Sequence, residues 1–188
     1  MLMSKKQLAD NLIDWRSLSP EVETSIPTNW VTWLSDRGSL TDRLIDASEN
    51  QFRVNVIDQC EAVPLQNEAL ALGISADTPV LIRRVVLQGK SLNWVFARSI
   101  LPMSTLTGEQ ARLKAIDDQP LGALLFADAS MTREPVEVAH LPALEFDVPK
   151  GLCQASDLLW GRRSVFRLDQ KPLLVSEIFL PTFTPAHR

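Results

Sequence analysis

The chain has 188 residues, enough for one domain with a sizeable core, and 45% hydrophobic with 22% charged residues excludes a disordered or fibrous protein. A formal net charge of −4 without a basic block argues against a nucleic-acid partner, whose phosphates call for a basic face. No apolar run approaches the roughly 20 residues that span a bilayer, and the polar start Met1-Leu2-Met3-Ser4-Lys5-Lys6-Gln7 is no secretory leader, so a cytoplasmic protein is expected.

Residues 1–25 are polar and poorly periodic and read as an N-terminal arm, with the folded domain over 26–188. Trp30, Trp33 and Leu34 fall at helical spacing over 27–34, and Gly38 breaks that run. Ser39 with Asp42 predicts a capped second helix whose buried stripe is Leu40, Leu44 and Ile45. Residues 51–58 alternate, with Phe52, Val54 and Val56 on one face, as a half-exposed strand does. A short helix is expected over 64–72, ended by Gly73. Strands over 80–87 and 92–101 flank Gln88-Gly89-Lys90-Ser91 and predict an antiparallel hairpin.

Thr107-Gly108-Glu109-Gln110 has capping-box spacing and predicts a helix to about Ile116, and Pro120 suits the first turn of another. Strands are expected over 131–139, 164–168 and 173–180. A long connection, 139–159, carries His140, Pro142, Pro149 and Gly151 and reads as a surface excursion. The order of elements predicts an α+β single domain: an antiparallel sheet of about six strands with helices mainly on one face.

Glu177 carries the most information. At period two it shares its face with Leu173, Val175 and Phe179, so the pattern aims a carboxylate at the core side of a strand. Such a group costs several kcal/mol unless a cation or hydrogen-bond donors meet it, which leaves two readings, a chemical role or a structural ion pair with a core arginine. Arg83 shares a strand face with Leu81, Val85 and Leu87, whereas Arg84 points the opposite way. An arginine can instead merely cover a sheet edge with its aliphatic stem. Cys60 and Cys153 lie far apart without paired-ligand spacing, so neither a disulfide framework nor a metal site is expected. His140 and His187 fall outside the patterned strands and are not expected to act as bases, and no Ser or Cys has a nucleophile's partners.

Four motifs run together. Trp160-Gly161-Arg162-Arg163-Ser164, Lys171-Pro172-Leu173-Leu174 and Ser176-Glu177-Ile178-Phe179-Leu180-Pro181 form a C-terminal block. Ahead of it lie Trp94, Arg98 and Pro102 with Ser104-Thr105-Leu106-Thr107-Gly108, then Pro120-Leu121-Gly122 with Leu125-Phe126, and Ser39-Leu40-Thr41 with Arg43. Over about residues 30 to 181 this order and spacing resembles the bacterial chorismate lyase family.

The resemblance implies a cofactor-free enzyme that eliminates pyruvate from chorismate to give 4-hydroxybenzoate for ubiquinone biosynthesis. It implies that Arg83 clamps the ring carboxylate and is the cation matched to Glu177, that Glu177 relays a proton, and that the main-chain N–H groups of Leu40 and Leu121 add donors. A family member with Met at the position of Leu40 would keep that backbone donor, with a slightly different pocket wall. The enolpyruvyl carboxylate needs a further donor, for which Arg133, Arg98, Arg162 and Arg163 are candidates, with Arg133 taken first. Chorismate and 4-hydroxybenzoate are the expected partners of a monomer without nucleic acid, membrane span or metal. The alternative is a non-catalytic small-molecule effector-binding domain of related fold. Such domains follow a winged-helix DNA-binding domain, and the roughly 50 residues before the first expected strand are too few and too little basic for one. A scaffold role leaves Arg83 and Glu177 on core faces without a reason.

Overall fold

The computed structural model describes residues 13–185. Five helices and eight strands follow one another in these residues: β1 (Arg16–Ser17), α1 (Pro20–Thr24), α2 (Thr28–Ser35), α3 (Leu40–Ala47), β2 (Phe52–Ala62), α4 (Gln66–Leu72), β3 (Val80–Gly89), β4 (Leu92–Pro102), a 3₁₀ segment (Gly108–Ala115), α5 (Leu121–Ala127), β5 (Thr132–Arg133), β6 (Glu137–Pro142), β7 (Leu158–Leu168) and β8 (Lys171–Phe179). One antiparallel sheet in the order β1-β6-β7-β8-β4-β3-β2, with β5 against β7, holds all eight strands, two more than the expected six. The two additional strands are two-residue pairings, β1 on β6 and β5 on β7, too short for an alternating pattern to reveal.

Two hairpins set the centre of the sheet. Lys90-Ser91 and Asp169-Gln170 both take left-handed φ angles, which a two-residue hairpin turn demands at both central positions. Gly89 lies in β3 itself, because Trp94 crosses it where a Cβ would stand 2.2 Å from the indole ring. The β7–β8 hairpin and β4 put β8 in the middle of the sheet, with Arg162 opposite Glu177 on one side and Ala97 opposite it on the other.

Helices cover mainly one face, as expected. Trp33, Leu34, Leu40 and Leu44 from α2 and α3 pack on Val85, Val95 and Phe179, each fully buried Leu contributing about 1.5–3 kcal/mol. Beside them Leu113, Leu121 and Leu125 pack on Leu101, Phe166 and Leu173. The reverse face is closed by α4, through Leu72, by Ile13 near the start and by Phe146 of the connection. Of the expected arm over 1–25, residues 1–12 lie outside the described part, while Ile13 is buried and β1 and α1 follow.

Several expected elements differ in detail. The 131–139 strand is two strands offset by one residue, because Pro135 has no N–H for the ladder. The capping-box segment is 3₁₀ rather than α, and Thr107 makes no side-chain cap. The connection between β6 and β7 is only 143–157, since His140 and Pro142 sit in β6 and Leu158 in β7. His140 stacks on Trp160, with ring centroids 4.4 Å apart, and His187 lies outside the described residues. Ser39 caps α3 as expected, its Oγ accepting from Asp42 N at 3.2 Å.

Candidate active site

Two adjoining cavities lie between the sheet and helices α3 and α5. The first is walled by Arg83, Val85, Ala97, Ser99, Thr41 and Leu121, the second by Leu40, Leu125, Arg133, Arg162 and Phe166, and Glu177, Val175 and Gly122 border both. Each has a volume of ≈ 30 Å³, room for about one water.

Arg162, fully buried, meets the Glu177 carboxylate. Its Nε donates to Glu177 Oε2 at 2.7 Å, and its Nη1 donates to the carbonyls of Trp33 at 2.9 Å and Asp36 at 3.0 Å at the end of α2. Glu177 Oε1 has no partner among the described residues. The expected pairing of Glu177 with Arg83 is therefore corrected, and sheet geometry gives the reason. Arg162 faces Glu177 on the neighbouring strand, whereas Arg83 lies two strands away and one same-face step along. Strands about 4.8 Å apart and steps of about 6.8 Å put those two backbones roughly 12 Å apart, the width of a ring between two side chains.

No carboxylate among the described residues lies at ion-pair distance from Arg83. Its Nη2 donates to the carbonyls of Asp117 at 2.6 Å and Gln119 at 3.1 Å, and its buried Nε has no partner among the described residues. Burial pushes the guanidinium below its ordinary pKa, and the Asp118 charge acts the other way. An orphaned buried donor on a residue that walls a cavity is costly, and an anionic ligand would satisfy it.

The N–H groups of Leu40 and Leu121 occupy the first positions of α3 and α5, where no intrahelical carbonyl is available to them. The two helix starts touch: a Cβ at Gly122 would come within 2.9 Å of Thr41 Oγ1. No glycine-specific φ is involved, so the constraint is space alone.

A model of the chorismate lyase family matches residues 12–187. The chain belongs to that family. Among its relatives, a probable chorismate pyruvate-lyase of Psychromonas ingrahamii is 40% identical over 163 residues, 84% of this chain and 86% of that protein. A second so named, from Pseudomonas fluorescens, is 38% identical over 176 residues, 93% of this chain and 92% of that one. Solved structures share the fold at low identity. The ligand-binding domain of a putative GntR-family transcriptional regulator from Bordetella bronchiseptica superimposes with a TM-score of 0.54 at 15% identity, over 73% of this chain and 89% of that one. The effector domain of PhnF from Mycobacterium smegmatis gives 0.52 at 16% identity, over 80% and 95%.

Within this chorismate lyase family member the structure brings Glu177, Arg83, Leu40 and Leu121 to one place, together with Arg133 and Arg162. Arg98 and Arg163, two of the four candidates for a second carboxylate, are not there. Arg98 pairs with Glu68 of α4 on the opposite face, at 2.7 and 3.1 Å, and Arg163 pairs with Glu137 at 2.6 Å and Asn67 at 2.9 Å. Both are engaged by side chains there, Arg98 by a bidentate carboxylate and Arg163 by a carboxylate and an amide. Sequence reasoning missed Arg162 as the partner of Glu177. The signal was present, because counting outward from the two-residue turn Asp169-Gln170 pairs the two residues. The Thr41–Gly122 contact had no signal in the sequence. No helix among the described residues is long and apolar enough to cross a membrane.

Proposed function

We propose that the chain is a chorismate pyruvate-lyase that converts chorismate to 4-hydroxybenzoate and pyruvate. The observation that carries this is one cavity wall shared by Arg83, whose buried Nε lacks an acceptor among the described residues, and Glu177, whose Oε1 is likewise unengaged there. The ring carboxylate lies on Arg83, supplemented by the Leu121 amide, and the ring hydroxyl end reaches Glu177.

In the reaction the hydrogen on the hydroxyl-bearing ring carbon departs as a proton. Its bonding pair becomes ring π-density, and the ether C–O bond on the adjacent carbon breaks with its pair going to the leaving oxygen. The resulting enolpyruvate takes a proton at its methylene carbon and becomes pyruvate. Aromatisation drives the sequence, so the protein need only orient the ring and move that proton, and no cofactor enters the scheme. Glu177 is the group placed to carry it. Arg162 is a positioning residue, holding Oε2 so that Oε1 faces the cavity.

A six-membered ring exceeds either cavity as it stands. The starts of α3 and α5, in contact at Thr41 and Gly122, therefore part to admit it and close to exclude water. By this reading the pathway role is ubiquinone-ring synthesis, and a strain lacking the gene is expected to regain quinone on added 4-hydroxybenzoate. Sedimentation of the purified protein is expected to give a monomer.

The test is purified protein with chorismate and no added metal or cofactor, following both products, with Glu177→Gln beside it. Equal release of pyruvate and 4-hydroxybenzoate, lost in the folded variant, is expected. Binding of chorismate without release would instead favour an effector-binding domain.

A further inference from the structure

The second cavity contains more positive charge than its walls neutralise. Arg133 enters it from β5, its Nε donating to Ser164 Oγ at 3.1 Å and its Nη1 to the carbonyls of Arg37 at 2.8 Å and Gly38 at 3.3 Å. These acceptors are all neutral, and no carboxylate among the described residues lies within ion-pair distance of Arg133. Arg162 next to it is answered by Glu177. Burial and the Arg162 charge push Arg133 down to about 10, with Glu177 acting the other way. Desolvated cations without a full counter-charge are expensive, and an anion with hydrogen-bonding oxygens would offset that cost.

The substrate proposed above has two carboxylates, and Arg83 accounts for one. We propose that the cavity walled by Arg133 and Arg162 holds the carboxylate of the three-carbon enolpyruvyl group, and therefore of the pyruvate that leaves. This deepens the chorismate reading and rests on it. The division follows from the position of Glu177, which borders both cavities: ring on the Arg83 side, three-carbon group on the Arg133 side, and the breaking ether bond between them beside the carboxylate. Arg133 then contributes to substrate binding without contributing to retention of the ring product. Arg98 and Arg163 have no share in it, since α4 and β6 hold them on the reverse face.

The experiment compares Arg133→Gln with wild type in the full chain for chorismate turnover, 4-hydroxybenzoate binding and inhibition by pyruvate. Loss of a charge-assisted bond is expected to raise the KM for chorismate about 10- to 100-fold while the Kd for 4-hydroxybenzoate stays within about twofold. Inhibition by pyruvate is expected to disappear in the variant, whereas Arg83→Gln is expected to weaken 4-hydroxybenzoate. Because Arg133 also ties down the backbone ahead of Leu40, a merely structural role would weaken both ligands by the same factor, and that result overturns the proposal. So does an unchanged KM. Should Arg133→Gln fail to fold, Arg133→Lys, which keeps the stem and charge without the fork, is expected to show the same split in smaller measure. A wild-type protein that neither releases pyruvate nor binds 4-hydroxybenzoate would sink the chorismate reading itself, an outcome distinct from failure of the Arg133 assignment.

Discussion

Arg162 Nε donates to Glu177 Oε2 at 2.7 Å across the β7–β8 pair, and the same guanidinium holds the carbonyls of Trp33 and Asp36. One fully buried arginine thus fixes the proposed catalytic carboxylate and the end of α2 together.

Removing either partner has separable consequences. Glu177→Gln keeps an acceptor for Arg162, so the fold is expected to persist while kcat falls by about 10²- to 10⁴-fold, the range of a lost proton-transfer group. Arg162→Met strands the carboxylate and two carbonyls and is expected to cost about 3–5 kcal/mol of stability as well as activity. Urea unfolding beside single-turnover kinetics reads both. A fully active Glu177→Gln would return this carboxylate to a structural role.

Gly122→Ala places a methyl 2.9 Å from Thr41 Oγ1 and must spread the starts of α3 and α5. The expected result is weaker retention of 4-hydroxybenzoate, faster product release and a stability loss of about 1–3 kcal/mol. Thr41→Ala in the same chain removes the clashing atom. Coupling between the two substitutions, seen in product affinity by a double-mutant cycle, checks the contact.

The Arg98–Glu68 pair, buried on the reverse face, is expected to matter for folding alone. Arg98→Met leaves a buried carboxylate unpaired and should cost about 3–5 kcal/mol with the KM for chorismate unaltered at temperatures where the variant is folded. Glu68→Gln keeps the acceptor that Glu68 Oε2 offers to Leu65 N at 2.9 Å, so the double variant is expected to recover much of the loss. A raised KM in Arg98→Met would contradict this placement.

The hydrogen-bonded Arg84 guanidinium holds Asp58 below the ordinary carboxyl value of 3.8, against the opposing effect of burial. A depressed native pKa favours the charged form in the folded state, so its stabilisation is complete above the ordinary value and lost as the pH falls through the native one. Asp58→Asn is therefore expected to be less stable than wild type at neutral pH, by a difference that shrinks below about pH 4. Denaturant midpoints on both sides of that value measure it. A constant difference would show that the ion pair does not titrate with folding.

Strand periodicity was legible wherever a strand was long. It aimed Glu177 and Arg83 at the covered face, and the structure places both there on the cavity walls. The helix starts at Leu40 and Leu121 were legible through Ser39 and Pro120. The ladder break at Pro135 and the pairings of β1 and β5 were not, because two residues carry no period.

Side-chain direction is a local property, since a strand alternates its faces whatever lies beside it. The sequence by itself therefore determined which charged residues are forced into the interior, the hairpin of β3 and β4, and, through its motifs, the family. Partner choice depends instead on which strand lies next to which and on how helices close over them. Only the tertiary structure decided that β4 stands between Glu177 and Arg83, that Arg98 and Arg163 are spent on the reverse face, and that Thr41 meets Gly122. Each of these is a distance between segments far apart in the chain, set by sheet order and packing.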